Sequence, residues 1–128
     1  PAESHHGIDM DALRAPGVLF AVARDVAGRV CGCGAVVLMK GYGELKRMYV
    51  PPEWRGRGLG AALLEFIEQQ ALANRRPVLR LETGNRQPEA LRLYARAGFR
   101  ECEPFGEYRP DPNSVFMEKM LCAASSAP

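Results

Sequence analysis

The stretch that decides the fold is Met48-Tyr49-Val50-Pro51-Pro52-Glu53-Trp54-Arg55-Gly56-Arg57-Gly58-Leu59-Gly60, together with what flanks it. It continues a β-prone segment, Glu44 to Val50 (ELKRMYV), and runs into the first turn of a helix. Pro51 and Pro52 stop the strand, because neither donates to a sheet ladder and each pushes the residue before it to extended geometry. From Gly58 to Ala73 the residues Leu59, Ala62, Leu63, Phe66 and Ile67 recur at helical spacing, leaving Glu65, Glu68, Gln69 and Gln70 for the wet side. Between strand and helix, Gly56, Gly58 and Gly60 let the backbone approach a ligand closely. They also leave N–H groups unpaired at a helix N-terminus, where the macrodipole favours an anion. Arg55 and Arg57 add positive charge with donors suited to phosphate oxygens. A structural glycine turn would explain the glycines alone; the arginines and the strand-to-helix setting favour a phosphate. The loop lacks the Lys-Ser/Thr ending of a triphosphate loop and differs in spacing from G-x-G-x-x-G, so neither nucleotide hydrolysis nor hydride transfer is favoured.

Upstream, Val18 to Arg24 (VLFAVAR) and Arg29 to Met39 (RVCGCGAVVLM) are apolar and flank the turn residues Asp25 to Gly28, which predicts an antiparallel hairpin. Gly41-Tyr42-Gly43 breaks the chain before the Glu44 strand. Downstream, a strand is expected at Val78 to Glu82 and a helix from about Pro88 to Ala97, with proline in its first turn and Gly98 at the left-handed cap. Phe99 to Cys102 and Val115 to Leu121 are the last strand candidates, joined by the loop Glu103 to Ser114, and Ala123 to Pro128 reads as a frayed tail. The order predicts an α/β fold, a mixed and mostly antiparallel sheet flanked by helices.

The 128 residues suit one domain, and 47% hydrophobic with 25% charged residues is ordinary for a globular chain with a core. Seventeen basic against fifteen acidic residues leave a net charge of +2, too little to argue for nucleic acid or an anionic membrane as partner. No apolar run approaches the roughly 20 residues of a membrane span, and no signal-peptide order opens the chain, so a cytoplasmic location is the default. Cys31 and Cys33, one residue apart in a strand, are expected to face one side as free thiols, since zinc sites usually space paired cysteines by two to four residues. Cys102 and Cys122 are read as free thiols too, and His5 and His6 as surface residues, so no metal is expected.

At this point the sequence resembles a family. Arg55 through Gly60 is similar to the pyrophosphate motif of GNAT acetyltransferases, and Leu93-Tyr94-Ala95-Arg96-Ala97-Gly98-Phe99 is similar to the family's second signature. The resemblance covers roughly Val18 to Leu121 and implies an N-acetyltransferase that uses acetyl-CoA as cosubstrate and transfers acetyl directly to a primary amine of a small molecule or peptide. It implies that the backbone of Met48 and Val50 pairs with the pantetheine arm, a form of β-augmentation. By the same likeness, Arg55, Gly56, Arg57, Gly58, Leu59 and Gly60 hold the pyrophosphate.

Tyr94 matches the family tyrosine that acts as general acid at the CoA sulfur; a core aromatic is the other reading of its helical spacing. Glu44, eleven residues before Arg55, matches a family glutamate base, and simple alternation would put it on one face with Lys46, Met48 and Val50. Its other reading is a strand-end carboxylate paired with Lys46, and Glu82 is the reserve candidate. Gln87 stands where many members have asparagine. The family normally begins with a strand and one or two helices, whereas only about seventeen residues precede Val18 here. The resemblance therefore implies a shortened N-terminal part, with residues 1–17 as a helical remnant centred on His5 to Arg14. The chain begins at Pro1, and any further residues ahead of it would help set specificity. Family members are often dimers, which makes a homodimer possible.

The loop Glu103 to Ser114 lies where members often border the acceptor site. Phe105, Tyr108, Glu103, Glu107 and Asp111 are candidates to receive a cationic amine. A non-catalytic acyl-CoA-binding module of the same fold is the rival reading; Tyr94 and Glu44 favour the enzyme.

Overall fold

Short turns set the first half of the molecule. The computed structural model describes residues 7–121, and in it four strands follow one another as a meander: β1 (Asp9–Ala15), β2 (Val18–Arg24), β3 (Val30–Leu38) and β4 (Gly43–Tyr49). A short 3-10 helix (Pro52–Trp54) leads into α1 (Leu59–Ala73), followed by β5 (Val78–Gly84), α2 (Pro88–Arg96), β6 (Arg100–Glu101) and β7 (Ser114–Met120). The seven strands form one sheet in the order β1-β2-β3-β4-β5-β7-β6, antiparallel except for the β4–β5 pair. The expected mixed, mostly antiparallel sheet with flanking helices is what forms. No helix among the described residues is long and apolar enough to cross a membrane.

The helical reading of residues 1–17 is corrected by β1. Asp9 to Ala15 pair in register with Arg24 to Val18 across a tight turn at Pro16-Gly17, where Gly17 has φ of +75°. Helix propensity in MDALR is a weak preference, and an adjacent strand with open ladder groups overrides it. His5, His6, Cys122 and the tail after it lie outside the described residues.

The core lies between one face of the sheet and α1. Leu59, Leu63, Leu64, Ile67 and Ala71 of α1 are buried against Leu19, Ala21, Val36, Leu45, Leu79 and Leu81, each large side chain contributing about 1.5–3 kcal/mol. The helix sits close because β3 presents glycine beneath it. A Cβ at Gly34 would stand 2.6 Å from Ile67 Cδ1 and 3.1 Å from the Arg47 carbonyl oxygen.

Two bulges break the alternation assumed above. Gly32 pairs with Ala23 and Val30 with Arg24, so Cys31 is an extra residue in β3. It turns into the core, 1% exposed, with its thiol donating to the Ala23 carbonyl at 3.5 Å, while Cys33 is only half-buried. The two thiols therefore do not share a side. In β4, Leu45 pairs with Val36 and Arg47 with Ala35, leaving Lys46 as the extra residue. Such an insertion bends a strand and increases its twist. The parallel pairing of β4 with β5 covers only Gly43–Leu79, Glu44–Arg80 and Leu45–Leu81; past the bulge the two strands part. On their far sides β4 stays paired to β3 as far as Tyr49 and β5 to β7 as far as Gly84.

Gly34→Ala should destabilise the fold by about 1–3 kcal/mol, because the Ile67 methyl can rotate aside but the Arg47 carbonyl cannot. A denaturant midpoint lowered at unchanged m-value would show it.

Candidate functional site

A cavity of about 620 Å³ opens where β4 and β5 part, between the loop at the start of α1 and the length of α2. Met48, Tyr49 and Val50 line it from β4 and its end; Arg55, Gly56, Gly58, Leu59 and Gly60 from the loop; Gln87 and Tyr94 from α2 and its cap. Gly56 and Gly58 adopt φ of +77° and +79°, a left-handed backbone cheap only without a Cβ. Gly58 caps α1, and the first bond inside the helix runs from the Ala62 N–H to the Gly58 carbonyl at 3.1 Å. The N–H groups of Leu59, Gly60 and Ala61 thus precede the intrahelical ladder at the positive end of its dipole. A Cβ on Gly60 would meet Leu93 at 3.6 Å and Val50 at 4.0 Å, inside the cavity but in ordinary contact with the protein.

The two loop arginines differ. Arg55 donates from Nε to the Val50 carbonyl at 2.7 Å, which ties the loop to the strand end, and its guanidinium lies over Tyr49 at 5.7 Å. Arg57 turns over the Trp54 ring at 5.0 Å, and its side chain is not part of the lining. Sequence reasoning missed Arg92 and Arg96, which add positive charge to the lining from α2. Their spacing of four residues, which puts both on one helix face, was the available signal.

Tyr94 satisfies both of its readings. It belongs to the core, packs edge-on against Phe99 at 5.6 Å, and also lines the cavity. Burial holds its phenol above the usual tyrosine range, so it stays protonated. No described residue makes a hydrogen bond with its hydroxyl, which leaves that group to a ligand.

Glu44 is not in this cavity. Leu45 and Met48 pair with Val36 and Gly34, which share a face, so the Lys46 bulge puts Glu44 on the face opposite Met48. The expected grouping of Glu44 with Met48 and Val50 is corrected accordingly; only Lys46 stays with it. Glu44 is just 7% exposed, and its Oε2 accepts from the Tyr108 hydroxyl at 2.6 Å and from Lys46 Nζ at 3.4 Å. Lys46 Nζ also donates to the Tyr108 oxygen at 3.1 Å. The bond to Glu44 raises the Tyr108 pKa, with burial adding to it and Lys46 opposing it. The Tyr108 bond raises that of Lys46 in turn, against burial and with help from the Glu44 charge.

The other loop candidates separate. Phe105 is buried in an edge-on aromatic cluster with Tyr42, Tyr108 and Phe116, and the Asp111 carboxylate accepts from the Asn113 N–H at 2.7 Å within its own turn. Phe105 is thereby committed to the core, whereas Asp111 stays exposed together with Glu103 and Glu107. Glu82 accepts from the Ser114 hydroxyl at 2.6 Å. Among the described residues no group of three or more His, Cys, Asp or Glu is placed to hold a metal ion.

Comparison with known proteins places the chain in a family. The family model of the acetyltransferase (GNAT) domain matches residues 16–101. An IAA acetyltransferase from Azospirillum brasilense is 49% identical over 123 residues, covering 94% of this chain and 80% of its own. A Klebsiella pneumoniae crystal structure described as an acyl-CoA N-acyltransferase is 44% identical with a TM-score of 0.81, covering 86% of this chain and 77% of that one. A GNAT family acetyltransferase from Elizabethkingia anophelis, solved with acetyl-CoA bound, shares the fold at 16% identity with a TM-score of 0.76, covering 91% of this chain and 99% of that one.

Proposed function

The chain belongs to the GNAT acetyltransferase family and is an N-acetyltransferase; from that premise we propose that it moves the acetyl group of acetyl-CoA directly to a primary amine of a small molecule or peptide, with Glu44 as base and Tyr94 as acid. One observation carries the assignment of roles. The phenol and the carboxylate lie on opposite faces of the sheet, on either side of the place where β4 and β5 part.

The residues fit an acyl-CoA along the whole cavity. The free N–H groups at the start of α1, with Arg55, Arg92 and Arg96 around them, suit a diphosphate and a further phosphate. The β4 edge at Met48 and Val50, unpaired on the β5 side, suits an extended amide-bearing arm. Gln87 caps α2 with no bond from its side chain to the helix, so its amide is available to that arm.

From the helix side Tyr94 donates a proton to the departing sulfur. From the other side Glu44 takes the proton that an incoming ammonium must lose before its nitrogen attacks. The C–N bond forms as the C–S bond breaks; the nitrogen gives its second proton to water as it becomes the amide, and Tyr94 regains a proton from water. The loop Glu103 to Ser114 borders the acceptor through Tyr108, with the exposed carboxylates Glu103, Glu107 and Asp111 available to a cationic amine.

The test is release of the CoA thiol from acetyl-CoA against a panel of amines and N-terminal peptides. Glu44→Gln and Tyr94→Phe should each lower kcat by about 10²–10⁴-fold while acetyl-CoA affinity stays near that of the wild type. Undiminished turnover in either variant removes that residue from the mechanism. Gly60→Ala tests the cradle separately: the unfolding midpoint should stay, since the new methyl makes only ordinary contacts, while Kd for CoA rises about tenfold or more.

A further inference from the structure

Resting on the reading of Glu44 as the base, we propose that Tyr108 is a positioning residue: with Lys46 it grips one oxygen of the Glu44 carboxylate and leaves the other to meet the acceptor's proton. The grip is directional. Lys46 Nζ donates to the Tyr108 oxygen at 3.1 Å, the Tyr108 hydroxyl donates to Glu44 Oε2 at 2.6 Å, and Lys46 closes the triangle on the same oxygen at 3.4 Å. Bonds arranged head to tail polarise one another, which strengthens the short phenol–carboxylate bond. Oε1 accepts nothing from any described residue. A carboxylate free to turn would exchange its two oxygens; one oxygen held at 2.6 Å fixes where the other points.

The ring is itself held. Phe105 and Phe116 pack edge-on against it at 5.3 and 5.4 Å, and the Tyr108 N–H bonds the Phe105 carbonyl at 3.1 Å. Gly106 makes the turn between them at φ of +58°, where a Cβ would come within 3.1 Å of the Tyr42 hydroxyl. Lys46 reaches the pair because it is the bulged residue of β4, so the irregularity that opens the cavity also supplies the ammonium. The remaining charged groups on this face are largely committed: Arg80 of β5 to Glu118 of β7 at 3.1 Å and over the Tyr42 ring at 4.6 Å, and Glu82 to Ser114. Arg47 is exposed on the same face. A neutral Tyr108 is the form that donates, and its contact with Glu44 favours that form.

The experiment compares Tyr108→Phe, Lys46→Met, Glu44→Gln and the Glu44→Gln/Tyr108→Phe double variant. Readouts are kcat, the acceptor and acetyl-CoA KM and the thermal midpoint. Tyr108→Phe keeps the aromatic packing, so its midpoint and acetyl-CoA KM should stay. Its kcat should fall about 10- to 100-fold with the acceptor KM little changed. Lys46→Met, outside the aromatic cluster, should lower kcat by less. In the double variant the Tyr108 change should add nothing to the loss from Glu44→Gln. A readout that needs no acceptor is the tyrosine titration followed by NMR with ring-labelled tyrosine: the Tyr108 signal should titrate at lower pH in Glu44→Gln. An inactive Glu44→Gln beside a Tyr108→Phe with unchanged kcat would overturn the positioning role and leave the base standing. A fully active Glu44→Gln would overturn the base assignment, and this inference with it.

Discussion

The site depends on one extra residue. Lys46 has no partner in β3, and the strand bends there; without that insertion β4 and β5 would continue side by side and their facing backbone groups would satisfy each other. The cost of unpaired strand edges is carried by the rest of the sheet, since each strand keeps a full ladder on its outer side and α1 packs across both from below. An opening of this kind is part of the fold, needs no moving lid, and gives an extended ligand two strand edges to choose from.

The bulge also sorts the chemistry by face. Beneath the sheet are helix N-termini, arginines and a desolvated phenol, a setting for phosphate and for a group that stays protonated. Above it is a buried carboxylate wrapped by an aromatic loop, with a lysine to balance its charge. A base and an acid placed side by side would tend to neutralise each other; a layer of sheet between them keeps each in its own electrostatic surroundings. That separation supports reading the two groups as partners in one reaction although they share no cavity.

What the sequence reveals here is what local chemistry decides. The glycines, prolines and arginines from Val50 to Gly60 announce a strand end, a turn and a helix start within eleven residues, and Tyr94 stands in a short signature with its own cap glycine. The bulges at Cys31 and Lys46 carry no such punctuation. They are set by how β3 meets its neighbours, so arguments from alternation misplaced both Cys33 and Glu44. Strand β1 was hidden for a related reason, since its conformation is chosen by β2. The grip of Tyr108 on Glu44 joins residues 64 apart, which only the completed sheet brings together. Arg92 and Arg96 were within reach of helical spacing, but nothing in α2 alone says which way that face points.

The loop between β6 and β7 crosses the sheet on the face away from α1 and touches the Gly56–Gly60 turn through none of the contacts described. Changes at distant, unlinked positions in a protein are usually independent in energy. The exposed loop positions Glu103, Glu107 and Arg109 can therefore be exchanged without disturbing the Gly56–Gly60 turn. The sheet acts as a party wall, so what is altered on one side need not be felt on the other.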